Sequence, residues 1–129
     1  MGNNVRIVLA DDHTILREGL RALLSADPVF EIIGEAGDGR EAIRQFDAHR
    51  DEVSLAVLDV VMPGLNGFQA TRQLTKDPET SEIPVIIVTT KDQETDRVWG
   101  LRQGARDFLT KPVSEQRLLE KVNAVLSAA

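Results

Sequence analysis

Short β-branched runs alternate along this chain with stretches whose apolar residues recur at helical spacing. Val5–Ala10, Phe30–Gly34, Leu55–Asp59, Pro84–Thr90 and Asp107–Thr110 read as strands. Between the first two, Leu16, Leu20, Leu23 and Leu24 fall on one helical face; after the fifth, Leu118, Leu119, Val122, Val125 and Leu126 do the same. Asp38 followed by Glu41 has the form of a capping box opening the second helix, and Ser114 can cap the last. Gly104 stands where a helix end needs a left-handed residue. The third helix, roughly Gly67–Leu74, has the weakest pattern. Five strands alternating with five helices predict an α/β fold with a parallel sheet covered on both faces. Ile7-Val8-Leu9-Ala10 and Val85-Ile86-Ile87-Val88 are apolar without alternation, as doubly covered strands require. No linker, repeat or low-complexity tract interrupts the pattern, so residues 1–129 read as one domain.

Composition narrows the function classes. No apolar run approaches the length that spans a bilayer, and no signal-peptide pattern opens the chain. Cysteine is absent, which removes disulfides and thiolate–metal bonds and suits a cytoplasmic protein. The net charge of −6 argues against a direct nucleic-acid face, which gathers Lys and Arg against phosphates. The acidic excess is compatible with a divalent-cation site and equally with plain solubility.

Ligands of open parallel sheets bind beyond the carboxyl ends of the strands. Strand one ends in Asp11-Asp12, strand three in Asp59, strand four in Thr89-Thr90, and strand five runs into Lys111-Pro112. Each has a bland reading: an Asp as helix cap, a Thr as strand former, a Lys before Pro as solvated loop. Caps do not explain three carboxylates, a hydroxyl and an ammonium meeting at one edge. Two carboxylates about 4 Å apart repel by roughly 4 kcal/mol at an effective dielectric near 20. Lys111 alone cannot balance three such charges, so the spacing implies a hard divalent ion with oxygen ligands, which suits Mg²⁺.

These residues resemble the receiver domains of two-component response regulators, including the chemotaxis response regulator. The motifs are Leu9-Ala10-Asp11-Asp12, Leu58-Asp59-Val60-Val61-Met62-Pro63-Gly64, Val88-Thr89-Thr90 and Phe108-Leu109-Thr110-Lys111-Pro112. In this order they cover essentially the whole chain. The resemblance implies a flavodoxin-like (βα)5 sandwich with strand order 2-1-3-4-5. It further implies that Asp59 accepts a phosphoryl group from a sensor histidine kinase. Asp12, Asp59 and the Val61 carbonyl would bind Mg²⁺ directly, with Asp11 acting through water. Thr89 would donate to the phosphoryl group, Lys111 would pair with one of its oxygens, and the Lys111–Pro112 peptide would be cis. Val61 and Lys91 would tune the phosphoryl lifetime.

Phosphorylation adds about two negative charges. Thr89 would move toward them and Phe108 would turn into the space vacated, biasing a face made by helix four, strand five and helix five. For Phe108 the competing reading is an ordinary buried strand aromatic. Thr90 departs from the small Ala common beside the acceptor, and its bulk could slow transfer or hydrolysis. Such a protein is not a conventional enzyme, since it catalyses only its own phosphorylation and dephosphorylation. It is a monomer or a phosphorylation-dependent homodimer, and if the chain is complete its output passes to a downstream protein effector.

Other signals are weaker. Gly34, Gly37 and Gly39 do not match the dinucleotide fingerprint and read as a tight connection. His13 and His49 look isolated, with His13 bordering the acidic site or exposed to solvent. Trp99 reads as a partly buried helix-face residue or part of a partner surface. A phosphatase acting on external substrates would want a further acid or base and a cap region, neither of which is found. A pseudo-receiver, natural or engineered, acting only as a protein-binding module is the remaining alternative. Val5 to Ile43, with Ala10-Asp11-Asp12-His13, resembles NarL/FixJ-type receivers. The stretch from Val61, with Met62-Pro63-Gly64-Leu65-Asn66-Gly67, resembles stand-alone receivers of type IV pilus twitching motility. That division suggests a chimeric or engineered chain, with a divergent natural protein as the alternative.

Overall fold

The computed structural model describes residues 5–60, 62, 64–89, 94–111 and 113–127. Five strands alternate with five helices: β1 (Val5–Ala10), α1 (Thr14–Ser25), β2 (Phe30–Ala36), α2 (Gly39–His49), β3 (Leu55–Asp59), α3 (Gly67–Lys76), β4 (Val85–Thr89), α4 (Glu94–Arg102), β5 (Asp107–Thr110) and α5 (Glu115–Ser127). All neighbouring strands are parallel, in the order β2-β1-β3-β4-β5. The flavodoxin-like order expected from the resemblance is therefore the observed one.

Alternating side chains of each strand serve two cores. Ile7, Leu9, Leu55, Val57, Ile86 and Val88 pack with Leu20 and Leu24 of α1 and Leu118, Val122 and Val125 of α5. Val8, Ala10, Ala56, Leu58, Val85 and Ile87 pack on the other face with Ala42 and Phe46 of α2 and Ala70 and Leu74 of α3. Burial on both sides is why the central strands show no polar alternation. Among the described residues no helix is long and apolar enough to cross a membrane.

Several boundaries differ from expectation. β2 runs two residues past Gly34, because Glu35 and Ala36 pair with Leu9 and Ala10 after a register shift between Ile7 and Val8. β4 begins at Val85 rather than Pro84, and Thr90 lies outside the described residues. α3 continues to Lys76 and opens with a complete Asn66–Gln69 capping box. On α2 only half the anticipated box forms: the Asp38 side chain accepts from the Glu41 amide, while Glu41 turns to Arg44 and Gln45. Ser114 does cap α5, accepting from the Arg117 amide at 3.1 Å. Gly104 has φ +108°, the left-handed conformation its position demanded. Leu16 is 43% exposed rather than in the core. With Ile15, Leu23 and Val113 it borders an open recess of about 350 Å³ beside Lys111.

Candidate functional site

The doubly wound order brings the carboxyl ends of β1, β3, β4 and β5 to one edge. Asp11 follows β1 directly, Asp59 closes β3, Thr89 closes β4, and Lys111 follows β5. All four are withdrawn from solvent: Asp11, Asp59 and Thr89 are buried, and the Lys111 side chain is only 7% exposed. Lys111 Nζ donates to Asp11 Oδ2 at 2.7 Å and lies 3.5 Å from Asp59 Oδ1. One ammonium thus stands between two buried carboxylates.

Neither Asp11 nor Asp12 caps α1. The N-cap position is His13, which makes no side-chain cap bond. Asp11 Oδ1 instead accepts from the His13 amide at 2.9 Å, a tight turn that fixes the peptide carrying both acidic residues. Arg17 secures the same corner from behind. Its Nη1 donates to the carbonyl oxygens of Asp11 at 2.6 Å and Ala36 at 3.2 Å, and its Nε faces Glu35 at 3.3 Å. Sequence reasoning missed Arg17, because its role depends on the pairing of β1 with β2.

The loop after β3 is held close by Gly67, whose amide donates to the Val60 carbonyl at 3.0 Å. A Cβ at Gly67 would meet the Asp59 carbonyl oxygen at 2.2 Å, so only glycine permits this approach. Val61, Thr90, Lys91 and Pro112, to which the resemblance gave roles, lie outside the described residues.

Burial pushes the Asp59 carboxyl up to about 6, with the negative charge of Asp11 adding to the effect and Lys111 opposing it. Ligand atoms of Asp11, Asp12, His13 and Asp59 lie within 4.8 Å of one another. Asp12 Oδ1 is sealed from solvent and accepts no hydrogen bond from the described residues. A buried acceptor left this way costs on the order of 1–3 kcal/mol. Oxygen donors, excess negative charge and an orphaned lone pair together fit a hard divalent cation such as Mg²⁺. His13, read as without ligand-like partners and either bordering the acidic site or exposed, is in the cluster and also 59% exposed, with Nδ1 3.0 Å from Asp12 Oδ1. Its adjacency to Asp11-Asp12 in the sequence was the available signal.

The sheet order, and this edge within it, define a receiver of the two-component class. The chain matches the response regulator receiver domain family over residues 7–123 and belongs to it. It is 56% identical over 123 residues to Protein PilH of Pseudomonas aeruginosa, covering 95% of this chain and 98% of that protein. The response regulator PleD of Caulobacter vibrioides is 38% identical over 122 residues, which span 95% of this chain and 26% of PleD. Among solved structures, the signal receiver domain of the putative response regulator NarL from Mycobacterium tuberculosis superposes with a TM-score of 0.89 at 30% identity, covering 98% of this chain and 99% of that one. A single natural relative matches both halves of the chain, so a chimeric origin gains no support.

Proposed function

We propose that this receiver takes a phosphoryl group onto Asp59 from a phosphohistidine on a sensor kinase, in a Mg²⁺-dependent reaction. The observation that carries the reading is the buried Asp59 carboxylate, set beside Lys111 and two further carboxylates at the open edge of the sheet.

An Asp59 oxygen attacks phosphorus in line as the phosphorus–nitrogen bond of the donor breaks, and the imidazole leaves with the electron pair. Phosphoryl transfer asks chiefly for positioning and charge neutralisation. Asp59 is fixed at the end of β3, and above pH 6 its carboxyl is mostly ionised. Lys111, already 3.5 Å from Asp59 Oδ1, is placed to pair with the incoming phosphoryl oxygens. Asp12 and Asp59, with Asp11 acting through water, would hold Mg²⁺, which supplies further positive field when bound. The resemblance assigns a further ligand to the carbonyl of Val61, which lies outside the described residues. The activity is self-directed: the chain phosphorylates and dephosphorylates itself and is not a conventional enzyme.

The switch reads out through α4, β5 and α5. Thr89 closes β4 opposite Thr110, and Phe108 stands opposite Ile87, half-buried against the core on that face. Movement of the Thr89 hydroxyl toward the new charge leaves room for Phe108 to turn inward. Val98, Trp99 and Leu101 of α4 are exposed, 51% in the case of Trp99, giving this side an apolar surface suited to a protein effector. Such signalling takes place in the cytoplasm, where the kinase presents its phosphohistidine.

Intact mass and peptide mapping after incubation with acetyl phosphate test the reading. Wild type should gain one phosphoryl group, on Asp59, in Mg²⁺ and none in EDTA, and Asp59→Asn should gain none. Unmodified wild type with Mg²⁺ present, or modification elsewhere, would reject it in favour of a binding module.

A further inference from the structure

We propose that His13 makes the acidic edge a mixed-donor centre, at which borderline divalent ions such as Zn²⁺ and Ni²⁺ compete with Mg²⁺ by taking its Nδ1 as an added ligand. The inference rests on the cation-binding reading of the same carboxylates and adds a specificity-determining residue to it.

Geometry carries the argument. Two neighbouring ligands at right angles, each about 2.1 Å from one ion, lie about 3.0 Å apart. His13 Nδ1 stands 3.0 Å from Asp12 Oδ1 and 3.5 Å from Asp11 Oδ1, both within the range of donors sharing a cation. Asp12 Oδ1 accepts no hydrogen bond, and its contact with the ring is an ion pair only when the imidazole carries a proton, so the neutral imidazole leaves both atoms available to a cation. Shared coordination would satisfy this buried oxygen and the imidazole together.

Placement of the ring is not accidental. The His13 amide is tied to Asp11 Oδ1 at 2.9 Å, and its carbonyl accepts the Arg17 amide at 2.8 Å at the start of α1. The backbone therefore presents the imidazole at the mouth of the pocket, where more than half of its surface faces solvent and an ion can enter.

Chemistry supplies the selectivity. Mg²⁺ prefers oxygen and keeps its waters, so the imidazole adds little to its binding. Zn²⁺ and Ni²⁺ bind imidazole strongly and exceed Mg²⁺ and Mn²⁺ in general affinity. An added nitrogen should thus separate the two groups of ions further than carboxylates alone can. His49, the last residue of α2, with Nδ1 3.3 Å from Glu52 Oε2, provides an internal control.

Calorimetric titration of untagged protein with Zn²⁺, Ni²⁺ and Mg²⁺, in wild type, His13→Ala, His49→Ala and Asp12→Asn, tests the inference. His13→Ala should weaken Zn²⁺ and Ni²⁺ at least tenfold and change the Mg²⁺ dissociation constant less than twofold. His49→Ala should match wild type, and Asp12→Asn should weaken all three ions. Equal Zn²⁺ affinity in wild type and His13→Ala, with Mg²⁺ still bound, would overturn the inference alone. Wild type binding Zn²⁺ through His13 but not Mg²⁺ would overturn the competition together with the Mg²⁺ reading. Binding of none would overturn both.

Discussion

Two carboxylates of this protein sit beside basic side chains and respond in opposite directions. Glu41, at the surface of α2, accepts from Arg44 Nη2 at 2.6 Å and from Gln45 Nε2 at 3.1 Å. These hydrogen bonds, that of Arg44 foremost, hold its carboxyl below the ordinary value. Asp59 also has a cation nearby, yet its carboxyl is pushed up to about 6, because burial and Asp11 outweigh Lys111. A surface pair is solvated whichever way it turns; a buried group has already lost its water. The exposed pair stabilises a helix weakly, whereas the buried one holds unfavourable charge that a ligand can relieve.

Removing Lys111 should break this contrast most severely. Lys111→Met leaves Asp11 and Asp59 facing each other without their ammonium, and should lower metal-free stability at pH 7.5 by about 2–4 kcal/mol in urea unfolding. The loss should shrink at pH 5, where Asp59 takes up a proton. An equal loss at both pH values would show that Lys111 acts by packing alone.

Neutralising Asp59 should have the opposite sign. Because the folded-state pKa of Asp59 lies above its ordinary value of 3.8, the native state holds the proton more tightly. Its contribution to stability therefore falls as pH rises from about 4 to about 6, and the full cost persists above that window. Asp59→Asn should stabilise the metal-free protein at pH 7.5 by about 1–2 kcal/mol, after discounting for solvent at the pocket mouth. It should also flatten the pH dependence of unfolding between those limits. A destabilised Asp59→Asn protein would contradict the electrostatic account.

The smallest effect belongs to the surface. Glu41→Gln should leave the melting temperature at pH 7.5 and the Mg²⁺ affinity unchanged within scatter. Its carboxyl is lowered, so the little it contributes is present above its ordinary value of 4.5 and disappears on acidification below it. A clear shift in Mg²⁺ affinity would mean that α2 charge reaches the site.

How much of this was legible in the sequence follows from how local each signal is. Strands buried on both faces announce themselves as unbroken apolar runs, so β1 and β3 match at both ends and β4 starts within a residue of its expected position. β2 was cut short at Gly34 because its last two residues gain their strand conformation only from pairing with β1. The α3 cap is carried by Asn66 and Gln69, a local signal that the helical periodicity of this stretch does not show. At the site, Asp11, Asp12, Asp59, Thr89 and Lys111 were legible because they stand at strand ends, where the sheet itself collects them. Arg17 was not, since its carbonyl partners, Asp11 and Ala36, stand just after β1 and at the end of β2, and nothing along the chain marks a guanidinium that ties them together. Leu16 failed in the other direction: helical periodicity fixes a face, but where that face passes beyond the sheet only the packing decides.

The titration of the Asp59 side-chain carboxyl carbon, followed by NMR in EDTA and again in saturating Mg²⁺, tests most directly whether crowded, desolvated charge prepares this residue for the role proposed for it. The account predicts a midpoint near 6 without the ion and a fall of at least one pH unit with it. A midpoint near 4 in both conditions would contradict it.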